Sequence, residues 1–571
     1  MKKIPYGISD YRTLVEEKYY YIDKTKYIEI LEEAGEPYIF FLRPRRFGKS
    51  LFTSTLEYYY DVKYKEEFDK LFKNTYIGTN PTERRNMYYI LKFNFSGINT
   101  STKERMLEGF TKKTIKALEF FNDKYEINLE YKKEGMPSEI FESFLGKVEK
   151  KIDRKIYVLI DEYDHFANEL LSFQVDTFEE TISKTGFVRK WYEVLKIGTD
   201  NGLVQRIYGT GVSPVTLDGL TSGFNISMNV SKDLALNECL GFTEKDVVSI
   251  LKETVGESIN IEENMPILKK YYNGYLFNKD GKNRIFNSDM VLYYATKYKK
   301  ENKVPEELID TNVASDYAKI AKLFELKNKE KNLEILKKII KGEEQSTLIT
   351  SEFSLAKGFS TDDFNSLLYY LGFLTIKQGV ITSVKLGVPN YVIKELYFAF
   401  FEEILKEKAE YDIDVSKIRQ SIEELALEGK IENFVEIIKT VLNKLANKDF
   451  IKFDEKYIKI IMVTYFMLSK VYYVKSEYEV EDGFIDVALL PRPGAKTIYN
   501  AIFELKYIKK EDYNETMLNK KVKEAKDEIE RYNKSEELMS LPNLKKWVIV
   551  FCKDEIVYLE EIILNLSHNM L

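Results

Sequence analysis

YIFFLRPRRFGKS, residues 38 to 50, runs from five apolar residues into an arginine-rich loop that ends in Gly48, Lys49 and Ser50. Tyr38 to Leu42 follows Pro37 and shows no polar alternation, which predicts a strand buried in a parallel sheet. SLFTSTLEYYY then carries apolar side chains at helical spacing. Strand, loop, helix is the context a phosphate-binding loop requires. Backbone N–H groups at the helix start would hold phosphate oxygens, helped by the helix dipole. Lys49 would reach the outer phosphates and Ser50 would ligate Mg²⁺. Gly48 lets the backbone come close. Arg43, however, stands where the usual pattern opens with glycine. Three residues, GKS, also fit a surface loop whose arginines form salt bridges, so a partner motif has to decide.

The partner is KIYVLIDEYD, Lys155 to Asp164. Ile156 to Ile160 is a second continuous apolar strand, and it ends in Asp161 and Glu162. A carboxylate at the carboxyl end of a buried parallel strand is placed to serve the Mg²⁺ ion through water, and the adjacent glutamate to orient or deprotonate an attacking water. Alone, Asp-Glu after a strand also describes a solvated strand end. The order of the two motifs is what points to nucleotide binding. A third strand, VQRIYGTGVSP from Val204 to Pro214, ends with Thr210 and Ser213, which either sense the terminal phosphate or belong to a plain turn. A further strand is expected at ILKFNFSG, Ile90 to Gly97. Strands alternating with helices indicate a doubly wound α/β domain.

The N-terminal IPYGISDYRTLVEEKYYYIDKTKYI, with RPRRFGKS, LIDEYD, GTGVSPV, TSGFNIS, LGFTEKDV and YYNGYLF in that order, resembles the AAA-ATPase-like family of bacterial proteins from Ile4 to Phe277. The resemblance implies a P-loop NTPase fold and ATP as the nucleotide. It also implies that the arginine-rich loop without an opening glycine is a family variant, with Arg45 or Arg46 touching phosphates. The chemistry of the residues alone equally allows a structural salt bridge there.

The chain has 571 residues, a length that favours several domains. A net charge of −6 makes it no polycation, so any nucleic-acid contact needs a local basic surface. The two cysteines, Cys239 and Cys552, offer neither a disulfide framework nor metal-ligand spacing, which fits a reducing cytoplasm. Two histidines, His165 and His568, leave little room for chemistry built on histidine clusters. MKKIPYGISDYRT has no apolar core of a signal peptide, and IKIIMVTYFML is too short to span a bilayer, so a cytoplasmic protein without membrane contact is expected.

From about Asn237 to Asn390 the sequence reads as helical with one hairpin. STDDFNSLLYYLGFLTIKQGVITSVKLGVPN predicts a capped helix, a strand, a turn at Gln378 and Gly379, and a second strand. This suggests a winged helix. Such a module either lies on DNA or relays nucleotide state, and the absence of a basic cluster in its helix favours the relay.

Beyond Asp454, an amphipathic helix begins near Glu455 and a strand runs toward Glu477. FIDVALL, Phe484 to Leu490, is an apolar strand interrupted by Asp486. AIFELKYI, Ala501 to Ile508, is another, carrying Glu504 and Lys506. Alternation puts Glu504 and Lys506 on one face. If the hairpin PRPGAKTIY pairs the two strands, all three groups converge. Two carboxylates and an ammonium in strands this apolar are costly unless they pair with each other or hold a metal; a solvent-facing salt bridge on an edge strand is the alternative. Asp, a turn, then Glu-x-Lys is similar to the PD-(D/E)XK nuclease superfamily. That resemblance implies a restriction-endonuclease-like α/β fold, Mg²⁺ (or Mn²⁺) between Asp486 and Glu504, Lys506 placing the hydrolytic water, and Glu455 as an added ligand. Members fused to this ATPase continue with an alanine, two residues, then Gln-Ile; here EAKDEIERY has Glu528 in place of that glutamine. The helix around LNKKVKEAKDEIERYNK carries mixed charge suited to i,i+4 ion pairs, though its lysines also suit phosphates. KKWVIVFCKDE gives a further core strand.

The whole reads as an α/β protein in three parts: a P-loop ATPase domain at 1–235, a helical and winged-helix-like region at 236–400, and a nuclease-like domain at 401–571. The expected partner is nucleic acid, DNA first, and homo-oligomerisation stays open. ATP state would control the nuclease, in defence or in mobile-element biology. A second class is a nucleotide-switched scaffold with a degenerate nuclease domain.

Overall fold

Tyr38–Leu42 forms β1, Tyr89–Asn94 β2, Ile156–Asp161 β3, Val204–Gly211 β4 and Met228–Asn229 β5. They build one sheet in the order β2-β3-β4-β1-β5, with every pair parallel. The protein is a computed structural model that describes residues 1–165, 186–214, 224–317, 320–326, 328–350, 359–409, 414–445 and 454–563. The C-terminal residue of GTGVSPV and the first three of TSGFNIS lie outside the described residues, as does His568. The chain divides into two units, Met1–Lys303 with Leu308–Ile393, and Val304–Glu307 with Lys394–Leu571.

All six residues of β3 are buried, as its unbroken apolar run requires. Helices cover both faces. On one, Trp191 of the Phe187–Asp200 helix meets Phe93 edge-on at 4.8 Å and stacks on Phe141 of the Pro137–Val148 helix at 4.9 Å. On the other, Tyr60 of the Lys49–Tyr60 helix packs against Tyr157 at 5.0 Å. Phe93 pairs with Ile160, three residues from Tyr157, so the pleat sends these two clusters to opposite sides.

The glycines of GTGVSP are explained by packing. A Cβ on Gly209 would lie 2.3 Å from the ring of Phe40, its partner on β1. A Cβ on Gly211 would lie 2.1 Å from Oδ1 of Asp164, whose Oδ2 accepts the backbone N–H groups of Val212 and Ser213 at 3.0 and 2.6 Å.

The helical region of residues 244–303 and 308–393 belongs to the same unit as the parallel sheet. Its Thr361–Tyr370 helix starts with the predicted capping box, Ser360 and Asp363. It is followed by Thr375–Gly379 (β7) and Val384–Gly387 (β8), with Gln345–Thr347 (β6) adding a third strand in the order β6-β8-β7. Gln378 and Gly379 are paired strand residues, not the turn. The chain reverses over Val380 to Ser383, where the Val380 N–H donates to the Ser383 carbonyl at 2.8 Å.

The second unit holds a mixed sheet of Tyr472–Val480 (β9), Gly483–Pro491 (β10), Asn500–Ile508 (β11), Leu544–Cys552 (β12) and Glu555–Glu561 (β13), ordered β13-β12-β11-β10-β9. Only β11 and β12 are parallel. Phe503 of β11 stacks on Phe466 of the Glu455–Leu468 helix at 5.4 Å. Residues of the other parity meet the Glu515–Tyr532 helix, where Ile508, Val548 and Val550 pack with Ala525 and Ile529. The sheet is thus closed on both sides, and β13 is a strand the sequence reading did not anticipate.

Gly209→Ala tests the sheet packing. It should lower unfolding stability by about 1–3 kcal/mol, read by urea denaturation, and an unchanged midpoint would contradict the Phe40 contact.

Candidate functional site

Two sites emerge, one in each unit. In the first, Gly48 at φ 89° caps the Lys49–Tyr60 helix, and only glycine holds that conformation without strain. Behind it a cavity of about 530 Å³ opens, a size suited to a small-molecule ligand. Arg45, Arg46, Gly48, Lys49, Ser50 and Glu162 all line it.

Arg43 does not share this cavity wall. It is fully buried, and its guanidinium donates to the carbonyls of Leu42, Ser231 and Leu236 at 2.9, 2.7 and 2.8 Å. The rings of Phe41 and Phe277 sandwich it at 4.4 and 4.0 Å. Burial pushes its pKa down to about 10. The residue in the place of the opening glycine is a staple beneath the loop.

Lys49 is buried and donates to the Pro44 carbonyl at 3.1 Å. Burial lowers its pKa, against the attraction of Glu162, Asp164 and Asp161. Asp161 is raised by burial and by the charge of Glu162, with a hydrogen bond from Ser50 opposing. Its Oδ1 is buried without a well-formed hydrogen bond, while Asn94 donates to Oδ2 at 3.4 Å. Burial also works against the Glu162 carboxylate, yet His165, Lys49 and Arg45 together bring its pKa down to about 2. His165 Nδ1 stands 3.7 Å from Glu162 Oε2. Lys49, Ser50, Asp161 and Glu162 are therefore brought together, although β4 separates the strands that carry them.

Arg46 pairs with Asp289 at 3.5 Å, which makes it part of the loop's scaffolding as well as of the cavity wall. Thr210 is a correction. It is fully buried, and its hydroxyl donates to the Phe41 carbonyl at 2.7 Å. It laces β4 to β1 and is not presented to the cavity, because the carbonyl of its neighbour on β1 takes the hydroxyl. His165 and Asn94 are site residues the sequence reading missed; neither stands in a motif that marks it.

In the second unit, Val487 pairs with Phe503 across the antiparallel β10–β11 ladder. Continued one residue past the last ladder pair, that register brings Asp486 alongside Glu504, and the charge of Asp486 raises the Glu504 pKa. Both are buried, as is Lys506. Asp486 Oδ2 accepts the Leu505 N–H at 2.9 Å, and Oδ1 accepts from Lys459 Nζ at 2.9 Å. Lys459 also bonds Glu477. Lys506 Nζ donates to Glu504 Oε1 at 2.9 Å and lies 2.6 Å from Glu528 Oε2. The three predicted groups thus converge, with Lys459, Glu477 and Glu528 as additions. Lys459 was legible: four residues after Glu455 on a helix, it lies on the same face.

The carboxylates Glu455, Glu477, Asp486, Glu504 and Glu528 outnumber the ammoniums of Lys459 and Lys506. Burial, Asp486 and a hydrogen bond with Glu528 push the Glu504 pKa up to about 10, against Lys506. Glu504 Oε2 is buried with no well-formed hydrogen bond. Two carboxyl groups side by side, one with an under-bonded oxygen, are a donor set that fits a hard divalent cation once both are ionised. Burial and Asp486 also raise Glu455. It does not close with Asp486 and Glu504 into a ligand trio: among the described residues no three Asp, Glu, His or Cys side chains form a ready ion-holding group. Asp486 and Glu504 are the pair that remains. Among the described residues, no helix is long and apolar enough to cross a membrane.

Comparison with known proteins follows the same division. Residues 5–221 match the model of a predicted AAA-ATPase family, and residues 453–561 match that of the PD-(D/E)XK nuclease superfamily. An uncharacterized protein from the vnfD 5′ region of Azotobacter chroococcum is 28% identical over 275 residues, 48% of this chain and 48% of that relative. The chain spans about half the length of the curated relative it matches. A search of solved structures returns the Walker-type ATPase PABY2304 of Pyrococcus abyssi, at 14% identity and a TM-score of 0.37, covering 67% of this chain and 96% of that protein.

Because burial and Asp486 push the Glu504 pKa up, a cation taken by this site would compete with its proton. Mn²⁺ binding at pH 8 should release about one proton, and apparent affinity should rise roughly tenfold per pH unit below that pKa. Calorimetry in buffers of different ionisation enthalpy reads the release; Glu504→Gln should abolish it.

Proposed function

For a chain that joins an AAA-ATPase-like domain to a PD-(D/E)XK nuclease-superfamily domain, we propose that ATP binding and hydrolysis at the first site control metal-dependent cleavage of DNA at the second. The observation that carries the nuclease half is the cross-strand placement of Asp486 and Glu504 with Lys506 on the same face. A divalent ion held by Asp486 and Glu504 would polarise a phosphodiester and lower the pKa of bound water. Lys506 stays an ammonium, because Glu504 and Glu528 offset its burial. It therefore places positive charge where a phosphorane oxygen develops. Glu455, near Asp486, is an outer carboxylate for water or metal.

At the first site, Lys49 and the N–H groups after Gly48 receive the phosphates, Arg45 lies beside them, and Ser50 with Asp161 holds the nucleotide's Mg²⁺. Glu162, ionised at neutral pH, orients the attacking water. The protein acts in a reducing cytoplasm, singly or as a homo-oligomer, against foreign or mobile DNA. The 236–400 region relays nucleotide state. A second reading, a nucleotide-switched scaffold that binds nucleic acid without cutting, is favoured by the lysine already seated on each carboxylate of the pair.

Plasmid and single-strand cleavage with Mg²⁺ or Mn²⁺, with and without ATP, separates the two. The intact protein should cut, and Asp486→Ala and Lys506→Ala should lose about 100-fold or more. No cutting under any condition, or equal cutting by the variants, sinks the nuclease. Lys49→Ala should abolish ATP binding, whereas Glu162→Gln should bind ATP and turn over about 100-fold more slowly; unchanged turnover in both would remove the ATPase assignment.

A further inference from the structure

We propose that Lys459 is a tethered competitor for the divalent ion at Asp486: a positioning residue that sets how much metal the site needs, and that is released onto Glu477 when the ion arrives. This rests on the reading of Asp486 and Glu504 as the cation pair. Each oxygen of Asp486 already has a donor, the Leu505 N–H on Oδ2 and the Lys459 ammonium on Oδ1, both at 2.9 Å. An incoming cation must displace or share one of them. The N–H is fixed in the backbone of β11. The ammonium ends a four-carbon stem and is the group that can leave.

Its destination is built in. Glu477 bonds Lys459 as well, and the β9–β10 register, with Ile485 opposite Tyr478 and Val487 opposite Ser476, puts Glu477 opposite Asp486. Glu477 has φ 51°, a left-handed conformation that is strained for a non-glycine residue. Its side chain is 55% exposed while that of Lys459 is 8% exposed. The ammonium is thus shared between a buried carboxylate and a solvated one. A divalent ion on Asp486 would repel it at short range in a site with little water, and the outer carboxylate can retain it. Lys506 has no such exit, since Glu504 and Glu528 hold it on both sides.

Calorimetric Mn²⁺ titration of the full nucleotide-free chain tests this, with Asp486→Ala defining the binding that belongs to the site. Lys459→Met should tighten that binding by about tenfold, and Lys459→Arg, which keeps the charge, should leave it near the parent value. Glu477→Gln should weaken it in the parent background and do nothing in the Lys459→Met background. The idea is overturned if Asp486-dependent binding is intact but Lys459→Met does not tighten it, or if Glu477→Gln acts equally in both backgrounds. Absence of Asp486-dependent binding in every variant overturns both this inference and the cation pair beneath it. Because Glu477 is on the surface, the weakening by Glu477→Gln in the parent background does not depend on how Lys459→Met folds, and its absence there also overturns the idea.

Discussion

Ionised groups removed from water need a compensating partner at close range, and both sites of this protein are assembled from such groups. Lys49, Asp161 and Glu162 are buried or nearly so and shift one another, and Glu504 and Lys506 do the same beside the buried Asp486. Each charge holds its place because removing a neighbour would leave another stranded. In the first unit the compensation is arranged by the parallel sheet, which brings the carboxyl ends of β1 and β3 to one edge. In the second, the antiparallel register of β10 and β11 brings two carboxyl groups side by side, with lysines against them.

Arg43 shows the same constraint met without any carboxylate. Three backbone carbonyls and two aromatic faces take up its guanidinium. That answers why a phosphate loop can begin with arginine. The side chain points down into the fold, so the loop above keeps the backbone freedom it needs at Gly48, and the bulk of Arg43 never competes with a ligand. Gly48 and Arg46, at φ 89° and 69°, carry the left-handed turns of this loop.

Three of the twelve non-glycine residues at positive φ among the described residues belong to the two sites. Arg46, Glu162 and Glu477 are all non-glycine residues at positive φ, at 69°, 53° and 51°. Each stands beside a polar partner: Arg46 with Asp289, Glu162 with His165, Glu477 with Lys459. Conformations of this kind persist only where surrounding contacts over-determine them. Here those contacts are the same electrostatic ones that shape the sites.

Local sequence determined the strands β1, β3, β4, β10 and β11, the helix from Glu455, the cap at Ser360, and the candidacy of Lys49, Ser50, Asp161, Glu162, Asp486, Glu504 and Lys506. Periodicity, glycine placement and carboxylates at the ends of apolar runs are short-range signals that a single segment carries. Which groups actually meet was decided only by tertiary structure. Thr210 turns into the sheet because β1 lies beside β4; His165 reaches Glu162 because the backbone bends at positive φ; Lys459 reaches Asp486 because its helix packs across β11. Strand order and helix docking are set by burial summed over many distant residues, and no stretch of ten residues contains that sum.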